Sequence, residues 1–319
     1  MRGAAVSRRV AAIDCGTNSI RLLVADVTGD RLVDVVRRME IVRLGAGVDR
    51  TGRLSDGALA RTFAALDDYA EQIQSLDVGR VRMVATSASR DASNRDVFVS
   101  GVEQRLGIAP DVVTGAEEAA LSFEGATREL RGSTALPAPY LVCDIGGGST
   151  EFVVGDDAAV RAARSVDVGC VRLTERHLRD DPPTVAQVQA ARDDVEAALD
   201  LVVSTVPVAD AATLVGLAGS VTTVVAIALD LPGYDAGRIH HARIGAEQVH
   251  DVTERLLAMR RSNRAALAVM HPGRVDVIAA GALVLDTVVR RYGFDEVVAS
   301  EHDILDGIAY SIGGAPAPP

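Results

Sequence analysis

Between Tyr140 and Asp156 the chain reads YLVCDIGGGSTEFVVGD, with Asp144, three glycines, Ser149 and Glu151 gathered at one turn between two apolar runs. Three successive glycines let a backbone take left-handed angles and approach a ligand without Cβ clashes. Their N–H groups can form a concavity that binds an anion. Asp144 precedes this turn and Glu151 follows it. Carboxylates beside a phosphate site make chemical sense when a hydrated divalent cation stands between them and the phosphate.

An earlier stretch repeats the pattern. Val10 to Asp26 reads VAAIDCGTNSIRLLVAD. Setting Asp14 on Asp144 matches Gly16 to Gly146, Asn18 to Gly148, Ser19 to Ser149, Arg21 to Glu151 and Asp26 to Asp156, 130 residues apart throughout. Both segments read as apolar strand, Asp-x-Gly turn, apolar strand. Two such turns with amide, hydroxyl and glycine donors would make a phosphate clamp; two ordinary glycine hairpins are the plain alternative. The internal repeat predicts two similar domains facing one another.

Other ionisable residues stay open on their own sequence context. Glu117 and Glu118 fall in the first turn of an expected helix, where a carboxylate also simply complements the helix dipole. Consecutive helical residues point about 100° apart, so only one of the two can face a cleft. Arg90 follows a short apolar strand in what reads as a loop, a place for catalytic and surface arginines alike. Arg21 either adds positive charge to the first turn or pairs with a carboxylate. The six histidines form no HxH or HxxxH pair. His240 and His241 would diverge on a strand, and His302 reads as structural. Cys15 and Cys143 occupy matching places beside the two turns and read as small buried thiols.

The elements that must position these residues follow from pattern. Leu32 to Leu44 continues the first sheet, with Arg37, Arg38 and Arg43 at its edge or surface, and Gly45 to Ser55 is a loop. Ser55 is the expected N-cap of a helix to about Leu76. Val81 to Ala85 is a strand, Asp96 to Leu106 a helix, Asp111 to Thr114 a strand, and a helix starts after Gly115. Gly132 to Pro139 is a connector, which sets domains at 1–130 and 131–319. In the second, Ala159 to Val168 and Thr213 to Leu217 are strands. Thr184 caps a helix to about Val203, and Ala246 to Met259 and Arg274 to Tyr292 are helices. Glu296 to Ala299 is a strand and Ser300 to Ile312 a closing helix, able to pack back on the first domain. The tail GGAPAPP reads as disordered. Strands alternating with helices give an α/β fold with mixed sheets.

Composition narrows the setting. The chain has 319 residues, enough for about two domains of ~150 residues. A net charge of −11 gives no general affinity for nucleic acid or anionic membrane. All 33 basic residues are arginine, which suits bidentate phosphate contacts but fits base composition as readily. Three cysteines without CxxC spacing point to a reducing compartment and away from a zinc site. No apolar stretch is long enough for a membrane span, and a cytoplasmic protein is expected.

The two hairpins with TSASRDASN, VVTGAEEA, DIGGGSTE, VGLAGSVTT and SEHDILDGI, in that order, resemble the exopolyphosphatase / guanosine pentaphosphate phosphohydrolase family, and most closely its short actinobacterial members. The resemblance runs from about Val10 to Ile312. It implies two actin-like (ribonuclease H-like) domains with mixed sheets flanking a cleft, in the actin, sugar-kinase and Hsp70 ATPase superfamily. It makes Glu118 the catalytic base and gives Arg90 and Glu151 to catalysis. Asp144 and Glu151 become ligands of Mg²⁺ or Mn²⁺. Asn18, Ser19, Gly146, Gly147, Gly148 and Ser149 become phosphate ligands. Cys15 stands where the family commonly has Leu or Val, a change in packing alone. The implied substrate is inorganic polyphosphate, with guanosine pentaphosphate as the alternative, and a homodimer is expected. From other classes, an actin-like ATPase or kinase would hold adenosine at the GLAGS turn, and a non-catalytic sensor would bind polyphosphate without releasing phosphate.

Overall fold

Residues 8–29 and 31–313 are described by the computed structural model, in which the chain divides into two units. The first runs to Arg128 and resumes at Ile304; the second is Glu129–Asp303. The GGAPAPP tail lies outside the described residues, apart from its first glycine.

The first unit opens with an antiparallel meander, β1 (Arg8–Cys15), β2 (Ser19–Thr28) and β3 (Arg31–Ile41). A one-turn helix α1 (Val48–Thr51) interrupts the expected loop. Helix α2 (Asp56–Ser75) begins where Ser55 accepts a hydrogen bond from the Ala58 N–H. Strand β4 (Arg80–Ala85) lies parallel to β1. Then come α3 (Ser87–Asp91), α4 (Arg95–Leu106), the short β5 (Asp111–Val112) and α5 (Gly115–Thr127). The sheet order is β3-β2-β1-β4-β5. Central β1 is buried on both faces, which is why it reads as an unbroken apolar run. Ile13, Leu22, Leu66, Tyr69 and Phe98 pack on one face, beneath α2 and α4. Ala12, Leu23 and Val84 pack on the other against Ile304, Ile308 and Ala309 of the closing helix, Ile304–Gly313. Gly307 lets that helix pass α5, since a Cβ there would stand 2.0 Å from the Leu121 carbonyl oxygen.

The second unit repeats the meander in β6 (Tyr140–Ile145), β7 (Thr150–Gly155) and β8 (Val160–Val166). Helices α6 (Cys170–Arg176) and α7 (Val185–Val203) follow, then β9 (Thr213–Leu217), parallel to β6, and α8 (Ala218–Ala228). The remainder is α9 (Ala236–Ile239), β10 (Arg243–Gly245), α10 (Ala246–Ala258), α11 (Arg261–Ala265), α12 (Ile278–Tyr292) and β11 (Glu296–Ala299). The sheet order is β10-β11-β9-β6-β7-β8. Helix α12 is buried from Ile278 to Val289. Its Asp286 is fully buried but accepts from Arg192 at 3.3 Å, Arg290 at 3.1 Å and His250 at 3.3 Å, which offsets the cost of burying the charge.

The repeat is topological as well as sequential. The run β3-β2-β1-β4 has the same directions as β8-β7-β6-β9. Even the register irregularity recurs, at Val24/Ala25 and at Val154/Gly155, again 130 residues apart.

Some boundaries differ from expectation. Arg90 is on α3, not in a loop. Helix α12 starts at Ile278, not Arg274, because His271 caps a separate 3₁₀ turn over Pro272–Arg274. The closing helix starts at Ile304, not Ser300, because the Ser300 hydroxyl bonds both the N–H and the carbonyl of His302 and turns the chain there. Strand β5 stops at Val112 because Thr114 is committed to capping α5. No helix among the described residues is long and apolar enough to cross a membrane.

Candidate active site

In the second unit, β6 and β7 pair with Asp144 directly opposite Glu151. Opposed residues leave the same face of a ladder, with Cβ atoms about 5 Å apart. Both are buried, at 7% and 1% exposure. Glu151 Oε1 accepts from the Ser165 hydroxyl at 2.7 Å. In the first hairpin the same two positions carry Asp14 and Arg21. There Arg21 Nε and Nη2 donate to Asp14 Oδ2 at 2.9 and 2.7 Å. A built-in cation thus balances the first aspartate, while the second faces another carboxylate. Two carboxylates on one face of the ladder give an oxygen donor set of the kind that can hold a divalent cation. Burial, and then the charges of Asp144 and Glu151, push the Cys143 thiol well above its ordinary range. Cys15 is pushed up in the same way, by burial and then Asp14, so both thiols are inert packing groups.

The Gly146–Ser149 turn has its carbonyls held from one side. Cys170 N–H donates to Gly146 O, and Val171 and Arg172 N–H donate to Gly147 O. Arg172 Nε donates to Gly148 O at 2.7 Å. Gly169 permits this approach, because a Cβ there would stand 2.4 Å from Gly147 O. Among the described residues no acceptor meets the N–H groups of Gly147, Gly148 or Ser149. The first turn is built alike: Gly45 N–H donates to Thr17 O, and Val42 and Arg43 N–H donate to Asn18 O. The half-buried side chains of Asn18 and Ser19 have no hydrogen-bond partner among the described residues. Thr17 and Ser87 share a hydroxyl–hydroxyl bond of 3.0 Å that ties the turn to the start of α3.

At the start of α5 the two glutamates part company. Glu117 closes a capping box: its carboxylate accepts from Thr114 N–H at 2.9 Å and from the Thr114 hydroxyl at 3.0 Å. Those bonds hold its carboxyl below the usual range. Glu118 is buried, at 8% exposure, and Arg90 Nη1 donates to its Oε2 at 3.2 Å. The first unit therefore joins Glu118 and Arg90, and the second joins Asp144, Glu151 and the glycine turn.

Sequence reasoning passed over three features. One is Arg172. Another is Arg274, whose guanidinium lies over Gly219 of the GLAGS turn and donates to Thr223 Oγ1 at 3.2 Å. The third is a histidine cluster. His240 and His241 do not diverge; their rings stack at 3.7 Å, and His302 lies 4.6 Å from His240. Glu129 Oε2 meets His240 Nε2 at 3.1 Å and His302 Nδ1 at 3.3 Å, a trio with ligand-like spacing. His240 Nδ1, however, accepts the Glu301 N–H at 3.1 Å. A ring nitrogen that accepts carries no proton, so the proton sits on Nε2 and points at Glu129, as in a hydrogen-bonded clasp.

Residues 23–314 match the model of the Ppx/GppA phosphatase family. The chain is 53% identical to Exopolyphosphatase 2 of Mycobacterium tuberculosis, over 96% of this chain and 99% of that protein. It is 28% identical to a guanosine-5'-triphosphate,3'-diphosphate pyrophosphatase of Aeromonas salmonicida, over 95% of this chain but 59% of that longer protein. Among solved structures, an exopolyphosphatase-like protein superposes with a TM-score of 0.93 at 43% identity, over 96% and 98% of the two chains. The Aquifex aeolicus Ppx/GppA family member gives 0.80 at 27% identity, over 98% and 100%.

Proposed function

The chain belongs to the Ppx/GppA phosphatase family, and from that membership and the two glycine turns we propose that it is an exopolyphosphatase, removing terminal phosphate from inorganic polyphosphate. The observation that carries the reading is the buried Glu118 beside Arg90, with its neighbour Glu117 spent on a helix cap.

In the proposed reaction Glu118 takes a proton from a water molecule. That water attacks the terminal phosphorus in line with the bridging oxygen, and the chain leaves shortened by one phosphate. In the second unit the N–H groups of Gly147, Gly148 and Ser149 bind phosphate oxygens where charge spreads in the transition state; in the first, Asn18 and Ser19 are the phosphate-binding donors. Arg90 both orients Glu118 and offers its remaining donors to phosphate. A divalent ion held by Asp144 and Glu151 would neutralise charge on the phosphate chain. Mg²⁺ or Mn²⁺ as that ion, a homodimer as the working state and the cytoplasm as compartment belong to the same proposal.

Guanosine pentaphosphate is the second reading, supported by relatives named for that activity at lower identity. Phosphate release from long polyphosphate, short polyphosphate, guanosine pentaphosphate and ATP, measured side by side, tests both. Turnover of ATP alone would overturn the proposal.

A further inference from the structure

We propose that Arg172 is a positioning residue for the phosphate-binding turn, fixing the peptide plane that presents the Ser149 N–H; this rests on reading that turn as the phosphate site. In a trans peptide the carbonyl and the following N–H point to opposite sides of one plane. Holding a carbonyl from behind therefore aims the next amide forward. Cys170 N–H on Gly146 O aims the Gly147 amide, at 2.9 Å. Val171 and Arg172 N–H on Gly147 O, at 2.9 and 3.1 Å, aim the Gly148 amide. The third plane is different, because the group on Gly148 O is a side chain, Arg172 Nε at 2.7 Å. Among the described residues no other group meets that carbonyl.

Two planes are thus held by backbone whatever the sequence of α6, and one depends on residue identity. The Arg172 side chain is 13% exposed, so its donor works largely out of water. Its charge-assisted bond is stronger than a neutral one and polarises the peptide, making the Ser149 N–H a better donor. The Asp167 carboxylate is 72% exposed and 3.9 Å from Nη2, too distant and too wet to take the guanidinium away from the turn. Loss of Arg172 frees the Gly148–Ser149 plane to rotate and withdraws one preorganised donor from the spreading phosphoryl charge.

The test compares Arg172→Gln and Arg172→Lys with Arg176→Gln, which removes a more exposed arginine from the same helix. R172Q should lower kcat on polyphosphate on the order of 10- to 100-fold with a near-normal melting temperature. R172K should recover part of the loss, and R176Q should match wild type. In ¹⁵N spectra, orthophosphate should shift the Ser149 amide in wild type and not in R172Q. Wild-type kcat in R172Q, or an equal Ser149 response in both proteins, overturns the proposal. If R172Q does not fold, R172K decides alone: lowered kcat at an unchanged melting temperature supports it, and wild-type kcat sinks it. A wild-type protein that hydrolyses none of the substrates, yet shows the Arg172-dependent Ser149 shift, would overturn the proposed function and leave this inference standing.

Discussion

Arg90 Nη1 donates at once to the Glu118 carboxylate, at 3.2 Å, and to the Val113 carbonyl, at 2.9 Å. The Val113 bond anchors the guanidinium just before the capping residue of α5, so the orientation of Arg90 and that of Glu118 are set by the same few residues. Nη2 has no partner among the described residues and stays available to an oxyanion. The position of the proposed base is thus tied to an arginine reaching it from α3.

Glu118→Gln should keep shape and substrate binding and lower kcat by about 10²–10⁴, the usual contribution of a general base. KM should change little, since the lost proton transfer matters only in the transition state. Glu117→Gln should keep the capping box in weakened form, lower the melting temperature only slightly and leave kcat near wild type. Matched kinetics and thermal melts check both. A dead Glu117→Gln with an active Glu118→Gln would reverse the assignment.

Arg90→Ala should lower turnover strongly, and Arg90→Lys should not restore it. A lysine ammonium is a point charge and cannot bond Val113, Glu118 and a phosphate in one plane. Because Arg90 and Glu118 touch, their losses should not add: the double variant should lose less activity than the two single losses multiplied. Multiplicative losses would show that the contact has no part in turnover.

Much of this arrangement was legible in the residues, and the rest has physical reasons for being hidden. The hairpins were visible because apolar runs ending in Asp-x-Gly leave few alternatives, and the 130-residue repeat carried over to strand order and to the register irregularity. The Ser55 and Thr184 caps were visible because a side-chain acceptor three residues before a free amide is a local signal. Which of Glu117 and Glu118 turned inward was open, since the deciding contact with Thr114 and the approach of Arg90 depend on how α5 begins. The clasp of Glu129, His240 and His302 joins residues 111 apart and more, and no spacing rule reaches that far. Arg172 looked like one arginine among 33 because its partner is a backbone carbonyl, which leaves no trace in sequence.

Acid should destabilise the fold through the histidine cluster. Burial first, then neighbouring His240, lowers the His241 pKa to about 4, and its Nε2 is buried without a partner. An unfolded histidine titrates near ~6.5, so between those values the unfolded chain binds more protons and stability falls as pH drops. Burial would raise the Glu129 carboxyl, but His302 and His240 outweigh it and hold it below its ordinary value, so its contribution is lost as pH falls from the usual glutamate range downward. His241 has a φ of 58°, which asparagine tolerates. Melting temperature against pH should therefore flatten between about 6.5 and about 4 in His241→Asn, with the Glu129 part kept. An unchanged slope would remove His241 as its source.

Metal dependence can be tested against the chain's own internal control. The first hairpin sets Arg21 opposite Asp14, and the second sets Glu151 opposite Asp144. If a divalent cation does at Asp144 what a guanidinium does at Asp14, chelator should abolish phosphate release, and Mg²⁺ or Mn²⁺ should restore it. The ion should also raise the melting temperature in the absence of substrate, since a ligand at ten times its Kd adds about 1.4 kcal/mol to the folded state. Glu151→Arg would install the first hairpin's pair in the second. That variant should stay folded without metal, lose the metal-dependent rise in melting temperature and release no phosphate. Glu151→Gln keeps the shape without the charge and should bind the ion more weakly, so its melting curve should respond only at higher metal concentration. Full phosphate release by the wild type in excess chelator, or an undiminished thermal response to metal in Glu151→Arg, would show that no catalytic ion depends on Asp144 and Glu151.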